Sequence, residues 1–198
     1  REPVVGNLLG KAKRKLGDVS AKIDVDLGGA TLTSVTAWSS VKSDLFEELD
    51  WEPLDLASAT QRLNVKALSE EVRISSNKGE ARLRWMAGLY YLHTDRTLDT
   101  AIFLRPDLTG LPAPILGSRL IADDDNDAYA AFGQINYKIA DALELTVALR
   151  YDIDRRRQVD LSPPVPAAPD RFKATYKSLQ PKFSLAYSFP GGTLAYAT

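Results

Sequence analysis

The segment Leu143–Asp152 reads LELTVALRYD, in which apolar and polar side chains alternate without a break. Successive side chains of a β-strand point to opposite faces of a sheet, whereas a helix would mix the two sets. The segment therefore predicts a strand with one apolar and one polar face. The same period recurs in Leu83–Tyr91, Tyr129–Tyr137 and Ser178–Tyr187.

Short and long connections alternate between the predicted strands. The short ones have the composition of tight antiparallel hairpins: Gly28-Gly29, Asn77-Lys78-Gly79, Ala140-Asp141 and Pro190-Gly191-Gly192. The long ones carry proline and acidic residues without sustained alternation: Asp44–Asn64, Leu98–Asn126 and Arg157–Arg171. We expect all long connections to lie at one end of the sheet and all short turns at the other.

This sorting of loop length is typical of outer-membrane β-barrels, which have short periplasmic turns and long extracellular loops. The predicted strands Ala81–Arg96, Leu143–Arg156 and Phe172–Ser188 exceed the ~9–11 residues that cross a bilayer at a tilt of about 45°. Tyr129 and Tyr137 share a face about 20 Å apart along the membrane normal, close to the ~25 Å between aromatic girdles. The prediction is an all-β protein, an antiparallel meander of long hairpins from a transmembrane β-barrel.

In such a barrel the apolar side chains face lipid and the aromatic ones form the girdles. This structural role is predicted for Trp85, Tyr129, Tyr137, Leu145, Val147, Leu149, Tyr151, Leu185 and Tyr187.

The composition excludes several classes of protein. The 25 basic and 26 acidic side chains nearly cancel, so no overall field attracts nucleic acid. The absence of cysteine excludes disulfides and thiolate metal sites. Apolar stretches fall far short of the ~20 residues of a membrane-spanning helix. Because the chain opens with Arg1-Glu2-Pro3 and no signal segment, we expect a mature or excised piece.

Residues with reactive side chains do not form a recognisable catalytic motif. His93, the single histidine, is predicted to lie at the lipid headgroups near the loop end rather than in a catalytic site. The cluster Asp123–Asp127 offers oxygen ligands, but Ala128 and Gln134 occupy the positions where a calcium loop needs Gly and Glu. A solvated loop end is the better interpretation. We expect no catalytic residue, no metal site and no cofactor.

Two short stretches of the sequence are rich in basic residues. Arg155-Arg156-Arg157 is predicted to end a strand on the loop side, where arginine forks suit the phosphates of lipopolysaccharide. The alternative is a hydrated strand end. Gly10–Lys15 is basic and unpatterned, which indicates a loop or the tail of a preceding strand.

Several segments in succession resemble the barrel of TonB-dependent receptors, the gated outer-membrane importers of siderophores, cobalamin and some sugars. The similar segments, in chain order, are Thr31–Trp38, Ser69–Ser76, Leu83–Tyr91, Ala130–Tyr137, Leu145–Tyr151 and Ser178–Phe183. The resemblance covers residues 7–198. It implies a barrel of about 22 strands filled by a plug, ligand capture by extracellular loops, and import driven by the TonB complex.

The chain departs from this family pattern at three points. It shows no plug, no N-terminal TonB box and no closing strand with a terminal aromatic. We therefore expect residues 1–198 to be a partial barrel domain of about eight strands, the last of them, Thr193–Thr198, incomplete. The import function then belongs to a larger receptor, for a ligand such as a ferric siderophore.

The sequence pattern leaves alternative hypotheses open. About eight strands also suffice for a small closed outer-membrane barrel that acts as an anchor or adhesin. A soluble β-barrel binding protein would line a cavity with the same apolar set. An outer-membrane hydrolase would need a partner for His93 that the sequence does not supply, so an enzyme is not expected. The predicted ligand-facing loops are Asp44–Asn64 and Leu98–Asn126, without named contact residues.

Overall fold

The computed structural model describes residues 6–77, 81–162 and 170–198, which form one antiparallel sheet. The strands lie side by side in chain order from β1 to β8. They are β1 Lys11–Asp26, β2 Ala30–Glu48, β3 Ala57–Ser76, β4 Leu83–Leu104, β5 Ile115–Ala140, β6 Leu143–Asp160, β7 Arg171–Ser188 and β8 Leu194–Ala197, with a short helix, α1 Pro106–Thr109. The predicted all-β antiparallel meander is confirmed. In the described ranges β1 and β8 are the two edges and do not pair.

The strands are longer and the loops shorter than the sequence suggested. β1 to β7 contain 16 to 26 residues each, against the ~9–11 that cross a bilayer. The connections at one end, the loop end, are residues 49–56, 105–114 and 161–170. Those at the other end, the turn end, are residues 27–29, 77–82, 141–142 and 189–193. Lys78 and Gly79 of one predicted turn, and residues 163–169 of one predicted loop, lie outside the described residues.

The prediction that Asp44–Asn64 and Leu98–Asn126 are long irregular loops is wrong for most of their length. Their flanks pair in β2, β3, β4 and β5, and so does the acidic cluster Asp123–Asp127, which lies within β5. Gly10–Lys15 is likewise not a loop, because β1 begins at Lys11 and pairs with β2. Backbone ladder bonds need no apolar side chains, so charged segments extend strands without an alternating pattern.

The register sorts the side chains onto two faces. On the apolar face, Trp85 aligns with Ile135 and Val147, and Tyr137 aligns with Leu145 and Leu185. The same face of the outer strands carries Val19, Ile23, Trp38, Leu68, Val72, Leu179 and Phe183. The opposite, polar face carries Arg73, Arg84, Gln134, Glu144, Arg150 and Lys182. The two-faced strands predicted from the period-2 pattern are confirmed.

The sheet has almost no buried core. The buried apolar residues in the described ranges are four alanines: Ala59, Ala101, Ala122 and Ala130. The accessible surface is 13675 Å², whereas a compact monomer of 21.8 kDa exposes about 9,300 Å². Large apolar side chains such as Leu89, Phe183 and Val19 are more than 60% exposed. An apolar face of this extent requires an apolar environment or a protein partner.

Between β7 and β3 the upper border of the apolar face runs obliquely across the strands. On β7 it lies at Leu179, after which Lys177 follows toward the loop end, and on β3 it lies at Leu68, before Lys66. The register leads from Leu179 through Tyr151, Ala131 and Leu89 to Val72 on β3. The border of β7, projected along the register, thus falls at position 72 of β3, whereas the border of β3 itself lies at position 68. The border has therefore moved four residues over four strands. Strands tilted by ~40° and spaced by ~4.8 Å predict a shift of about five residues for a level border.

Candidate functional site

Two neighbouring loops at the loop end are joined by a set of reciprocal hydrogen bonds. In the connection 105–114, Arg105 donates from Nε and from a terminal nitrogen to the two carboxylate oxygens of Asp55, at 2.7 and 3.0 Å. The Asp55 amide donates to the Asp107 carboxylate at 2.7 Å, and the Asp107 amide donates to the Asp55 carbonyl at 3.1 Å. We call Asp55, Arg105 and Asp107 the loop clamp. Hydrogen bonding to Asp55 raises the pKa of Arg105 above its already high ordinary value.

The loop clamp is reinforced by local capping in the connection 49–56. The Asp50 carboxylate accepts the amides of Glu52 at 3.1 Å and Ala57 at 2.7 Å. Partial burial acts to raise the pKa of Asp50, but these backbone hydrogen bonds outweigh it and hold the pKa below its ordinary value. Trp51 follows with φ of 57°, a left-handed conformation that bulky residues rarely adopt. No motif in the sequence predicts this loop geometry.

The clamped loops carry exposed apolar side chains. Trp51 is 64% exposed and Leu54, in the same connection, is also exposed. From the other loop, Leu108 and Leu111 are also exposed. A rigid base with exposed aromatic and aliphatic groups is suited to holding a small partly apolar ligand. We call Trp51, Leu54, Leu108 and Leu111 the apolar rim.

Between the loops and the apolar face lies a zone of charged residues, the charged collar. Its central part is on β4 and β5, where Tyr91 and Tyr129 stack with centroids 5.1 Å apart. The Tyr91 hydroxyl donates to Asp127 at 2.9 Å, and Nδ1 of His93 lies 3.0 Å from the same carboxylate oxygen. The aromatic pair therefore marks the point at which the apolar face becomes polar.

The histidine is surrounded by carboxylates from two neighbouring strands. Nε2 of His93 lies 3.4 Å from Asp95, and the ligand atoms of His93, Asp125 and Asp127 all lie within 4.8 Å of one another. One oxygen of Asp127 already contacts both His93 and Tyr91. His93 thus lies in a hydrogen-bonded network at the edge of the apolar face, and its position at the lipid headgroups stays a prediction.

The arginine run is divided between the two faces of β6 rather than ending the strand. Arg155 and Arg157 lie on the same face as the apolar residues, and β6 continues beyond them to Asp160. Arg155 lies over the Tyr129 ring at 5.6 Å, and Arg157 is 3.9 Å from Asp125. Arg156 points to the other face, where it bonds Asp154 at 2.8 and 2.9 Å. Only two of the three arginines can therefore meet a ligand on the apolar side.

The polar face carries a ladder of paired charges along its length. Arg150 forms hydrogen bonds of 2.8 to 3.0 Å with Asp152, which also accepts from Gln180. Arg84 pairs with Glu144, and Arg73 pairs with Glu71 at 3.0 Å. A water-filled or protein-filled lumen accommodates such a face, and a lipid environment does not.

All the residues for which a lipid or girdle role was predicted lie on the apolar face. They are Trp85, Tyr129, Tyr137, Leu145, Val147, Leu149, Tyr151, Leu185 and Tyr187. Glu70 lies on this face too, where its carboxylate accepts from Ser34 at 2.6 Å and from Thr36. That pairing has no signal in the sequence because Glu70 lies on a different strand from Ser34 and Thr36, so only the register joins them.

Among the described residues, no helix has the length and apolarity needed to cross a membrane.

Comparison with solved structures gives matches that share the fold at low sequence identity. The ferric yersiniabactin uptake receptor FyuA from Yersinia pestis superposes with a TM-score of 0.78 at 13% identity, over 93% of this chain and 27% of that chain. The siderophore receptor PiuA from Acinetobacter baumannii gives 0.68 at 13%, over 90% and 30%. The copper transporter OprC gives 0.60 at 13%, over 94% and 30%. The chain thus spans less than a third of the length of these structures.

The family to which the chain is assigned follows from its sequence. Residues 16–198 match the family model described as TonB dependent receptor-like, beta-barrel. That family consists of receptors and transporters of the outer membrane of Gram-negative bacteria rather than of enzymes. Together with the antiparallel sheet of long strands, the match shows that this chain belongs to the TonB-dependent receptor β-barrel family.

Proposed function

We propose that residues 1–198 form part of the barrel wall of a TonB-dependent importer in the outer membrane, with the apolar face in lipid. The ligand is a ferric siderophore or a similarly scarce nutrient, captured by extracellular loops, and TonB energises its import. The loop end faces the outside of the cell and the turn end faces the periplasm. The polar face, with its paired charges, lines the lumen.

The oblique course of the upper border of the apolar face between β7 and β3 carries this proposal. A sheet lying in a flat bilayer must keep its apolar border level in the membrane while its strands tilt by 35–45°. The register then has to shift by about one residue per strand, and the observed shift from Leu179 to Leu68 is four residues over four strands. A soluble sheet packed against a protein partner has no reason to follow this rule.

The apolar rim and the loop clamp support ligand capture at the loop end. Siderophores and related chelates combine polar metal-binding groups with apolar or aromatic parts, and Trp51 and Leu54 are exposed beside the Asp55–Arg105 pair. Side chains on loops fixed by hydrogen bonds bind with less loss of conformational entropy than side chains on mobile loops. The rim therefore has the features of an initial contact site.

The orientation is tested by labelling of single cysteines, since the chain has none of its own. Leu54→Cys at the loop end and Gly29→Cys at the turn end are introduced separately into the full-length protein, in which any cysteine outside this chain is replaced by serine. A membrane-impermeant maleimide added to intact cells should label Leu54→Cys and should reach Gly29→Cys only after the outer membrane is permeabilised. Equal labelling of both positions in intact cells would overturn the proposed orientation.

Ligand capture is tested with defined probes, radiolabelled ferric yersiniabactin and copper ions. We expect saturable, TonB-dependent uptake of at least one of them, with weaker binding in a Trp51→Ala variant and unchanged binding in a Glu52→Ala control. If a probe binds but enters cells with and without TonB to the same extent, the importer assignment is refuted.

A further inference from the structure

A buried carboxylate lies at the loop end of β2. Glu48, the last residue of that strand, is only 6% exposed. The segment before β1 covers it, since the Asn7 amide donates to Oε1 of Glu48 at 3.0 Å and a Cβ added at Gly6 would overlap Oε2. Buried charges in proteins are normally paired with an opposite charge or bound to a metal ion. Glu48 therefore needs a positive partner.

A buried hydroxyl without a partner faces the same position. Ser58 lies directly opposite Glu48 in the register of β2 and β3. It is 1% exposed, and its Oγ has no hydrogen-bond partner in the described part of the chain. Residues directly opposite each other in an antiparallel pair have Cβ atoms about 4.5–5.5 Å apart on the same face. The hydroxyl and the carboxylate thus project into one small space, and the unsatisfied hydroxyl indicates a missing ligand.

A second carboxylate borders this space. Asp50 lies within hydrogen-bonding reach of Glu48, and its Oδ2 accepts the amide of Ala57, the residue before Ser58, at 2.7 Å. Its Oδ1 accepts one further amide, so each oxygen keeps a free lone pair. Two adjacent carboxylates repel each other unless a cation or a proton lies between them. We call Glu48, Asp50 and Ser58 the oxygen cluster.

The protein supplies no cation to the oxygen cluster. In the described ranges, neither Glu48 nor Asp50 takes part in a salt bridge. Lys11 is near in the register, because it lies opposite Phe46 on the same face of β2 as Glu48, but it forms no salt bridge with the cluster. The positive partner must therefore come from outside these parts of the chain.

The donors of the oxygen cluster identify the kind of cation. Carboxylate and hydroxyl oxygens are hard ligands, which favour Ca²⁺ and Mg²⁺ over the transition metals that histidine and cysteine bind. Ca²⁺ accepts 6–8 oxygens in irregular arrangements, whereas Mg²⁺ requires a near-ideal octahedron. Because the sheet register and the amide hydrogen bonds set the positions of these donors, the cluster favours the ion with the less demanding geometry.

We propose that the oxygen cluster binds a calcium ion. Glu48 and Asp50 supply the negative charge, Ser58 supplies a neutral ligand, and water completes the coordination. The ion joins the segment before β1 and the connection 49–56, which carries Trp51 of the apolar rim, to the end of the sheet. The inference does not depend on the membrane orientation or on the imported ligand. No calcium-loop motif marks these positions in the sequence, because the cluster forms only through the register of β2 and β3.

The first test is titration of the full-length protein with calcium after treatment with a chelator, followed by calorimetry. Glu48→Gln removes the charge but keeps the shape of the side chain and an acceptor for the Asn7 amide. Ser58→Ala removes the hydroxyl. The control Glu52→Gln removes an exposed carboxylate from the same connection. Magnesium is titrated in parallel.

The wild type should bind Ca²⁺ with a Kd of about 10⁻⁴–10⁻³ M, the range of extracellular calcium sites. Loss of even an outer partner of a metal ligand weakens binding about 10- to 100-fold, so Glu48→Gln should lose at least about 10-fold. Ser58→Ala should lose less, Glu52→Gln should bind as the wild type does, and Mg²⁺ should compete weakly.

The position of the ion is tested with terbium, which replaces calcium and emits when a nearby indole is excited. Emission should fall in Trp51→Phe, which retains calcium binding, and should be lost in Glu48→Gln. Equal calcium binding by the wild type and Glu48→Gln, the result expected if Glu48 shares a proton with Asp50 instead, would overturn the proposal. An equal loss in Glu52→Gln, or full emission in Trp51→Phe, would also overturn it. Displacement of calcium by equimolar Mg²⁺ would overturn the assignment to calcium.

Discussion

The guanidinium of Arg105 and the carboxylate of Asp55 form a two-pronged ion pair, with Nε to Oδ1 at 2.7 Å and a terminal nitrogen to Oδ2 at 3.0 Å, that joins two successive loops. Both side chains are largely shielded, at 20% and 24% exposure. Hydrogen bonds to charged groups contribute about 1.5–3 kcal/mol when shielded from water. The pair is therefore strong enough to hold the loops together.

Asp55→Ala should release the two loops from each other. The amides of Arg105 and Asp107, which donate to residues of the connection 49–56, should then exchange hydrogen about 10- to 100-fold faster. Hydrogen exchange measured by mass spectrometry checks this, with Glu52→Ala as the control acidic substitution in the same loop. Unchanged exchange at Asp107 in Asp55→Ala would show that the ion pair does not hold the loops.

Acidification should loosen the connection 49–56 through Asp50. Because backbone hydrogen bonds lower the pKa of Asp50 in the folded state, its stabilising contribution is complete above the unfolded value of about 4. The contribution is lost as the pH falls through the lower, folded pKa. Protection of the Ala57 amide should follow this dependence in the wild type. In Asp50→Asn, protection of this amide should not depend on pH in that range, and a persisting dependence would exclude Asp50 as its source.

Phe183→Lys should destabilise the membrane-inserted protein because it places a charge on the apolar face. Phe183 lies opposite Val147 and is 64% exposed. A lysine near the middle of the bilayer costs about 2–4 kcal/mol in an outer-membrane barrel. Urea unfolding of the protein in lipid vesicles measures the free energy. The control Ser184→Lys, one residue further on and on the polar face, should cost less than about 1 kcal/mol.

Gly88→Ala should destabilise the polar face by steric overlap. A Cβ added at Gly88 would lie 2.5 Å from the tip of the Phe132 ring and 3.0 Å from the Cβ of Arg73. Overpacking of this kind costs about 1–3 kcal/mol. Gly133→Ala is the matched control, because its nearest neighbour would be at 3.5 Å. Phe132→Leu combined with Gly88→Ala should recover part of the loss, and failure of this rescue would point to a backbone effect instead.

The sequence predicted well the part of each strand that carries the apolar face. It predicted poorly the charged part of each strand nearer the loop end. Alternation is strong where one face is apolar, as along Leu145, Val147 and Leu149, because a one-residue slip of register would move the whole apolar set to the other face. Above the border, both faces carry charged side chains, so Asp123–Asp127 has no periodic signal although it is paired throughout.

The loop clamp could not be predicted, since Asp55 and Arg105 are separated by 50 positions and meet only because β3 and β4 lie side by side. The collar network around His93 depends in the same way on register. Conversely, the division of Arg155 and Arg156 between faces follows directly from the strand period, once β6 is known to continue past them.

The central claim, that the apolar face lies in lipid, is tested most directly by spin labels placed one at a time at residues 143–151 of the otherwise cysteine-free chain. The full-length protein is reconstituted in lipid vesicles, and collision rates are measured with oxygen, which partitions into the bilayer, and with a water-soluble nickel complex. Oxygen accessibility should have a period of two, with maxima at Leu145, Val147 and Leu149 and minima at Thr146 and Ala148. Maxima at Thr146 and Ala148, or no periodicity along β6, would contradict it.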